Sequence, residues 1–271
     1  MITSDTESLI NLPHPIRIIV ADIDGCLSGG TASHFDLTLL ERISQMNRAS
    51  RHDPTVPAVT YCTGRPQPYV ECLMQSTHVY HPALCEGGTL FFDLPTHSIL
   101  MHPDFAKAEE VVLAKLHAEV ARRLVGPNVK PEPGKISHIT LIIQPPITPE
   151  DLWDEACEIA AQFGDTFVVE KSRICIHILF RHIHKGVGLK WLSEHTEIPM
   201  NQMAGIGDAT PDLPFLDLVG FAFAPHNAHS TVKDAAHYTS SLSDSESAHQ
   251  MLDMILHHNQ NIQLTSSNEE R

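Results

Sequence analysis

Two aspartates two residues apart close the apolar run Ile18-Ile19-Val20-Ala21-Asp22-Ile23-Asp24-Gly25-Cys26-Leu27. A short stretch that is apolar on both faces reads as a buried strand of a parallel sheet. The carboxyl end of such a strand is where open α/β sheets hold their ligands. Carboxylates gathered there are costly unless a cation or a proton balances them. Taken alone, the Asp-x-Asp pair is better read as an acidic turn after a strand. Three further groups downstream change the balance. Thr63-Gly64-Arg65 follows the apolar run Val56 to Cys62, Lys185-Gly186 opens the segment His184 to Leu192, and Gly207-Asp208-Ala209-Thr210-Pro211-Asp212 follows Met203-Ala204-Gly205-Ile206. Each has an ordinary explanation by itself: Thr-Gly is a common turn, and a lysine that starts a helix is usually solvated.

In this order the four fragments resemble the four motifs of the haloacid dehalogenase (HAD) superfamily, in its Cof-like, sucrose-phosphate-phosphatase-like group. The resemblance runs from Arg17 to about Tyr238. Phosphoryl transfer needs a nucleophile, charge compensation and a proton donor for the leaving oxygen. The resemblance implies that Asp22 is the nucleophile and forms an aspartyl-phosphate, and that Asp24 protonates the leaving alcohol and later activates water. It implies that Thr63 hydrogen-bonds a phosphoryl oxygen, with Gly64 allowing close backbone approach, and that Lys185 offsets charge on the phosphate and on Asp22. Arg65 either meets substrate or forms a surface ion pair. The resemblance also implies that Asp208 and Asp212 join Asp22 around one magnesium ion (Mg2+), with the Asp24 carbonyl as a further ligand. An oxygen donor set without Cys or a His pair suits a hard cation. Without it, four carboxylates would repel one another and a phosphate dianion.

The activity implied is that of a magnesium-dependent phosphatase acting on a small phosphorylated metabolite, a sugar or polyol phosphate. A phosphomutase on sugar phosphates and a non-catalytic binding or regulatory protein of the same fold are the alternatives. Two positions depart from the family pattern. Pro211 stands where Asn is frequent before the last aspartate, and Cys26 where Thr or Val is commoner.

Composition sets outer bounds. The 271 residues are 42% hydrophobic and 19% charged, with a net charge of -15, which argues against nucleic acid or anionic membrane as a partner. No apolar run approaches the roughly 20 residues of a membrane helix. The first residues, Met1 to His14, lack the basic start and apolar core of a signal peptide. The six cysteines form no Cys-x-x-Cys pair, so reduced thiols in a cytoplasmic protein are expected. The nineteen histidines complete no zinc spacing, and the oligomeric state is not readable.

The elements that must carry these groups follow from pattern. Strands are expected at Arg17 to Ala21 and Val56 to Cys62, with a helix between them capped by Asp36. Pro66 opens another helix that ends near Met74, and strands flank the glycine turn in Leu84 to Phe92. From 93 to 181 the pattern changes to two helices (Phe105 to Leu124 and Pro149 to Phe163, the latter capped by Thr148) and strands at Ile136 to Gln144, Thr166 to Val169 and Ile174 to Phe180. Gly126 to Gly134 reads as a loop. The α/β order then resumes with a helix from Gly186, a strand at Met203 to Ile206, a short helix from Asp212, a strand at Val219 to Phe223 and a helix from Ala228. After a serine-rich link, a last helix ends near His257, and the polar tail from Asn259 reads as unstructured. The fold expected is α/β, a HAD-like Rossmannoid core (1–92 and 182–271) with an α+β unit inserted at 93–181. By resemblance that unit is a C2-type cap of the smaller, C2B-like variety, lying over the catalytic sheet. Arg181, His182 and Lys135 are its candidate substrate contacts.

Overall fold

The computed structural model describes residues 10–30, 33–105, 107–172 and 174–269. Most of residues 1–15, which from their polar sequence closed by Pro13 and Pro15 are expected to form a loose arm, lie outside them, as do residues 31–32 of the polar loop expected at Ser28 to His34. The first strand, β1 (Ile18–Ala21), leads to helix α1 (Leu37–Ala49), β2 (Ala58–Tyr61), α2 (Gln67–Thr77) and β3 (Ala83–Cys85). A hairpin, β4 (Leu90–Asp93) and β5 (Ser98–Met101), precedes α3 (Lys107–Arg123), β6 (Val129–Pro131), β7 (Ile139–Ile143), α4 (Pro149–Ala161), β8 (Phe167–Lys171) and β9 (Cys175–Phe180). The chain ends with α5 (Lys185–Thr196), β10 (Met203–Ile206), α6 (Leu213–Leu216), β11 (Phe221–Ala224), α7 (Ser230–Ala235), β12 (Tyr238–Thr239) and α8 (Asp244–Glu269).

Five of these strands form a parallel sheet in the order β12-β11-β10-β1-β2. Its inner strands β1, β10 and β11 are continuously apolar because each feeds two cores. Ile19 and Ala21 of β1 join one cluster with Leu39 and Ile43 of α1, Val70 of α2 and Met251 of α8. Ile18 and Val20 join the other, with Leu189 of α5, Phe215 of α6 and Val232 of α7. Side chains alternate across a strand, so burial on both faces requires the unbroken apolar run. The same alternation recurs in β11, whose Phe221 and Phe223 face one cluster and Ala222 and Ala224 the other. With helices on both faces, the carboxyl ends of β1, β2 and β10 open on one edge, where the chemically suggestive residues follow.

A separate apolar cluster draws only on residues from Phe105 to Ile183, almost entirely within the stretch 93–181. Here an antiparallel sheet, β6-β7-β9-β8, sets Leu141, Ile176, Ile178 and Phe180 against Leu116 and Val120 of α3 and Ile159 of α4. The caps expected from sequence are formed. Asp36 accepts from the N–H groups of Thr38 and Leu39 at 2.8 and 3.3 Å, and Thr148 and Asp151 form a reciprocal capping box at α4.

Two readings are corrected. Gly126 to Gly134 is not all loop: Val129, Lys130 and Pro131 pair with Ile143, Ile142 and Leu141. Pro131 is tolerated because β6 is an edge strand. The polar tail is helical, since α8 runs past His257 to Glu269. Asn259 is buried and there for its hydrogen bonds, accepting from Ile16 N–H at 2.8 Å and donating to the carbonyls of Ile16 and Thr55 at 2.7 and 3.0 Å. It closes the backbone at the entrance to β1, so its polarity does not mark disorder.

Candidate active site

The turn after β1 carries Asp22 and Asp24 past the sheet edge. The Asp22 N–H still bonds to the Ile206 carbonyl at 2.9 Å, which holds it beside the end of β10. Gly25 then takes φ +82, a conformation that side chains disfavour. A Cβ there would also collide with the Asp208 carboxylate. Close approach of the two loops therefore depends on glycine at 25.

Asp22, Asp208 and Asp212 each offer a carboxylate oxygen, all within 4.8 Å of one another. Lys185, at the start of α5, lies 3.1 Å from Asp22 Oδ1 and also bonds Asp212 Oδ1. The other Asp212 oxygen accepts from the N–H groups of Asp208 and Ala209, both at 2.9 Å. Asp212 thus shapes the loop that presents Asp208. Pro211 fits this arrangement as part of a single 3-10 turn, Thr210–Asp212.

Charge is concentrated here beyond what water would permit. Burial pushes the Asp22 carboxyl up to about 7, with Lys185 opposing and Asp212 and Asp24 adding to the rise. Burial, then Asp22 and Asp212, push Asp208 up to about 8. Lys185 is held well above the ordinary lysine range by Asp212 and Asp22, although burial opposes this. Three carboxylates against one lysine is the balance that a hard divalent cation corrects, and the all-oxygen donor set fits magnesium. The Cys26 thiol donates to Asp208 Oδ1 at 3.7 Å, and burial beside three aspartates pushes it far up. It is a buried thiol rather than a thiolate nucleophile.

Asp24 turns away from this group by its side chain. Arg65 grips its carboxylate with two bonds of 2.7 Å, stacks over Tyr69 and reaches Glu132 at 3.5 Å. Thr63 is buried, its hydroxyl accepting from Arg65 N–H at 3.1 Å, and Gly64 is exposed at the rim. Asp22, Asp24, Thr63, Gly64, Arg65, Glu132, Lys185, Asp208 and Asp212 line a cavity of about 580 Å³ between the parallel sheet and the antiparallel one. Of the three candidate contacts from the second unit, Lys135 and Arg181 line it. His182 is not among the lining residues and sits by the Asp104 carbonyl at 3.5 Å.

Residues not singled out from sequence hold the two units together. Glu86, in the glycine turn after β3, is buried with φ +49. It accepts from Ile136 N–H at 3.1 Å, Ser137 N–H at 2.9 Å and the Ser137 hydroxyl at 2.7 Å. A buried carboxylate is tolerable when so many donors meet it. Lys135 bonds the Gly64 carbonyl from the same loop. The sequence signal was an acid ahead of two glycines; nothing in it tied residue 86 to 137.

Burial also shifts several histidines. It lowers His81 and His177 to about 4 and holds His138 well below the ordinary imidazole range. Each is neutral when folded but titrates near 6.5 when unfolded. Stability from these groups is fully present above pH 6.5 and is lost as pH falls toward 4, because protons bind the unfolded chain first. Asp22 and Asp208, pushed up to about 7 and about 8, titrate in the opposite sense, so the check is a comparison: replacing His81 or His177 with a neutral residue should raise the melting temperature at pH 5, relative to that at pH 7.5, above the parent's.

The family profile for haloacid dehalogenase-like hydrolases matches residues 130–252. Phosphoglycolate phosphatase of Methanothrix thermoacetophila is 41% identical over 78 residues, 29% of this chain and 35% of that protein. The chain thus spans about a third of that relative's length. Phosphoglycolate phosphatase of Methanococcoides burtonii is 26% identical over 228 residues, 83% of this chain and 90% of its own. The crystal structure of sucrose-phosphatase from Synechocystis sp., with sucrose and phosphate bound, superposes with a TM-score of 0.64 at 16% identity, covering 89% of this chain and 98% of that one. No helix among the described residues is long and apolar enough to cross a membrane.

Proposed function

We propose that the chain is a haloacid dehalogenase-like hydrolase, a magnesium-dependent phosphatase that cleaves a small sugar or polyol phosphate. The observation that carries this reading is the approach of Asp22, Asp208 and Asp212 to within 4.8 Å, with Lys185 only 3.1 Å from Asp22. In this reading Asp22 attacks phosphorus as its bond to the leaving oxygen breaks, giving an aspartyl-phosphate. Asp24, oriented by Arg65, supplies the proton to the leaving alcohol and takes one from the water that later frees phosphate and restores Asp22. Lys185, the Thr63 hydroxyl and the backbone at Gly64 hold the phosphoryl oxygens. Asp22, Asp208 and Asp212 are the side chains that would hold magnesium, which neutralises phosphate charge when bound.

The named relatives act on phosphoglycolate. A larger alcohol is favoured here because a cavity of about 580 Å³ is roomier than a two-carbon acid needs. Residues 93–181 are read as the cap that encloses the leaving group and excludes water. Six free cysteines support a cytoplasmic setting. The test is phosphate release from p-nitrophenyl phosphate with magnesium and with a chelator. Release that needs the metal is expected; no release in either buffer would contradict the proposal. Isomerised sugar phosphate without net phosphate release would indicate a mutase instead.

A further inference from the structure

The antiparallel sheet faces the cavity with a line of polar side chains. The Glu132 N–H bonds the Thr140 carbonyl at 2.8 Å, Thr140 on β7 pairs with His177 on β9, and His177 pairs with Glu170 on β8. All four residues line the cavity, as do Leu179 and Val168, the next cross-strand pair. Their sequence neighbours Leu141, Ile176 and Ile178 face the opposite way, into the apolar cluster. Neighbouring strands lie about 4.8 Å apart, so Thr140 to Glu170 spans roughly 10 Å, the length of a small sugar.

The chemistry of this row is selective. Thr140 and His177 Nδ1 share a hydrogen bond of 3.0 Å, leaving the other ring nitrogen for a further partner. Burial keeps that imidazole neutral, with a pKa near 4. Glu170 has no cation within ion-pair distance among the described residues, and burial raises it while Lys185 opposes the rise. Among the described residues, the cations of the wall each have a carboxylate or carbonyl partner. Arg65 holds Asp24 and Glu132, Lys135 holds Glu132, Lys171 holds Glu150 at 3.0 Å, and Arg181 donates to the Asp165 and Phe167 carbonyls. A leaving group bearing hydroxyls meets hydroxyl, imidazole and carboxylate partners here. One bearing a carboxylate meets Glu170 without a cation to offset the repulsion.

We propose that the Thr140–His177–Glu170 row selects the leaving alcohol, taking an uncharged, hydroxyl-bearing one and rejecting one that carries a carboxylate. This inference rests on the phosphatase reading of the same cavity. Discrimination of this kind is efficient because a rejected ligand leaves buried polar groups unpaired. The experiment compares kcat/KM for a hexitol phosphate, phosphoglycolate and p-nitrophenyl phosphate in the full chain with magnesium. The hexitol phosphate is expected to exceed phosphoglycolate by about a hundred-fold. Glu170→Gln keeps shape and removes charge, so the ratio should fall by about tenfold or more, partly through a gain on phosphoglycolate. Thr140→Val should lower only the hexitol phosphate, by about tenfold. Equal or better turnover of phosphoglycolate by the unmodified protein overturns the inference, as does an unchanged ratio in Glu170→Gln. If p-nitrophenyl phosphate is turned over, either result leaves the phosphatase reading standing. If it is not, both fall together.

Discussion

Asp22→Asn is expected to cut phosphate release by about a thousand-fold or more while leaving the chain folded. The substitution is nearly isosteric, and the side chain is buried at the end of β1, where an amide fits the same space. What disappears is the carboxylate lone pair that would attack phosphorus, for which no neighbour substitutes. Cys26 is closest in chemistry, yet its thiol is held protonated by burial beside Asp208 and Asp22. Stability should move the other way. Burial and like charge push Asp22 up to about 7 and Asp208 to about 8, so removing one carboxylate relieves repulsion, and Lys185 keeps Asp212 as partner. In chelator at pH 8 the variant should therefore melt no lower than the parent, and above it if repulsion dominates. Activity within tenfold of the parent would remove Asp22 from the nucleophile's place. Loss of the folded state would show instead that the position is needed for structure.

How much of this was readable in advance depended on whether a signal is local. The strands β1, β10 and β11 announce themselves because each is buried on both faces and is apolar throughout, and β2 departs from this only at the buried Thr60. Chain continuity fixes the residues at their carboxyl ends, so Asp22 and Asp208 could be placed at a sheet edge before any coordinates, whereas Lys185, at the start of α5, was named from the resemblance of the four motifs to a known family. Short or edge elements could not. Val129–Pro131 is three residues long and contains a proline, and Ser98–Met101 has no partner but the adjacent β4. The tail misled because Asn259 and His258 are polar for the sake of distant carbonyls, those of Ile16, Thr55 and His14. The cavity wall was hardest, since only strand register brings Thr140 opposite His177 and His177 opposite Glu170. A hint was present in Cys175 to Phe180, where Ile176, Ile178 and Phe180 alternate with less apolar neighbours, as expected for a strand with one face on a core. The grip of Arg65 on Asp24 had no such hint. A side chain that follows a Thr-Gly turn can reach substrate, solvent or the next loop, and spacing does not choose among them.

Lys185→Met should be the most damaging single change to stability, and metal should repair part of it. The ammonium is almost wholly buried and sits between Asp22 and Asp212, both themselves buried. Methionine replaces much of the stem's volume and flexibility, so the loss is chiefly of charge. Removing one partner from a buried pair leaves uncompensated carboxylates, an effect of about 3–5 kcal/mol, or roughly 10 °C in melting temperature for a chain of this size. Two additions separate this electrostatic account from a packing defect. Magnesium binds the folded chain and not the unfolded one, so it should raise the variant's melting temperature by more than the parent's. The double change Asp22→Asn with Lys185→Met should melt above Lys185→Met alone, because it removes a charge that the lysine no longer balances. That is a coupling between contacting residues rather than a sum of two losses. Turnover of the single variant should fall by about a hundred-fold as well, since the phosphoryl oxygens lose their fixed cation. Strictly additive melting shifts, unaffected by magnesium, would mean that Lys185 holds this loop together by shape and that the carboxylates around it need no positive partner.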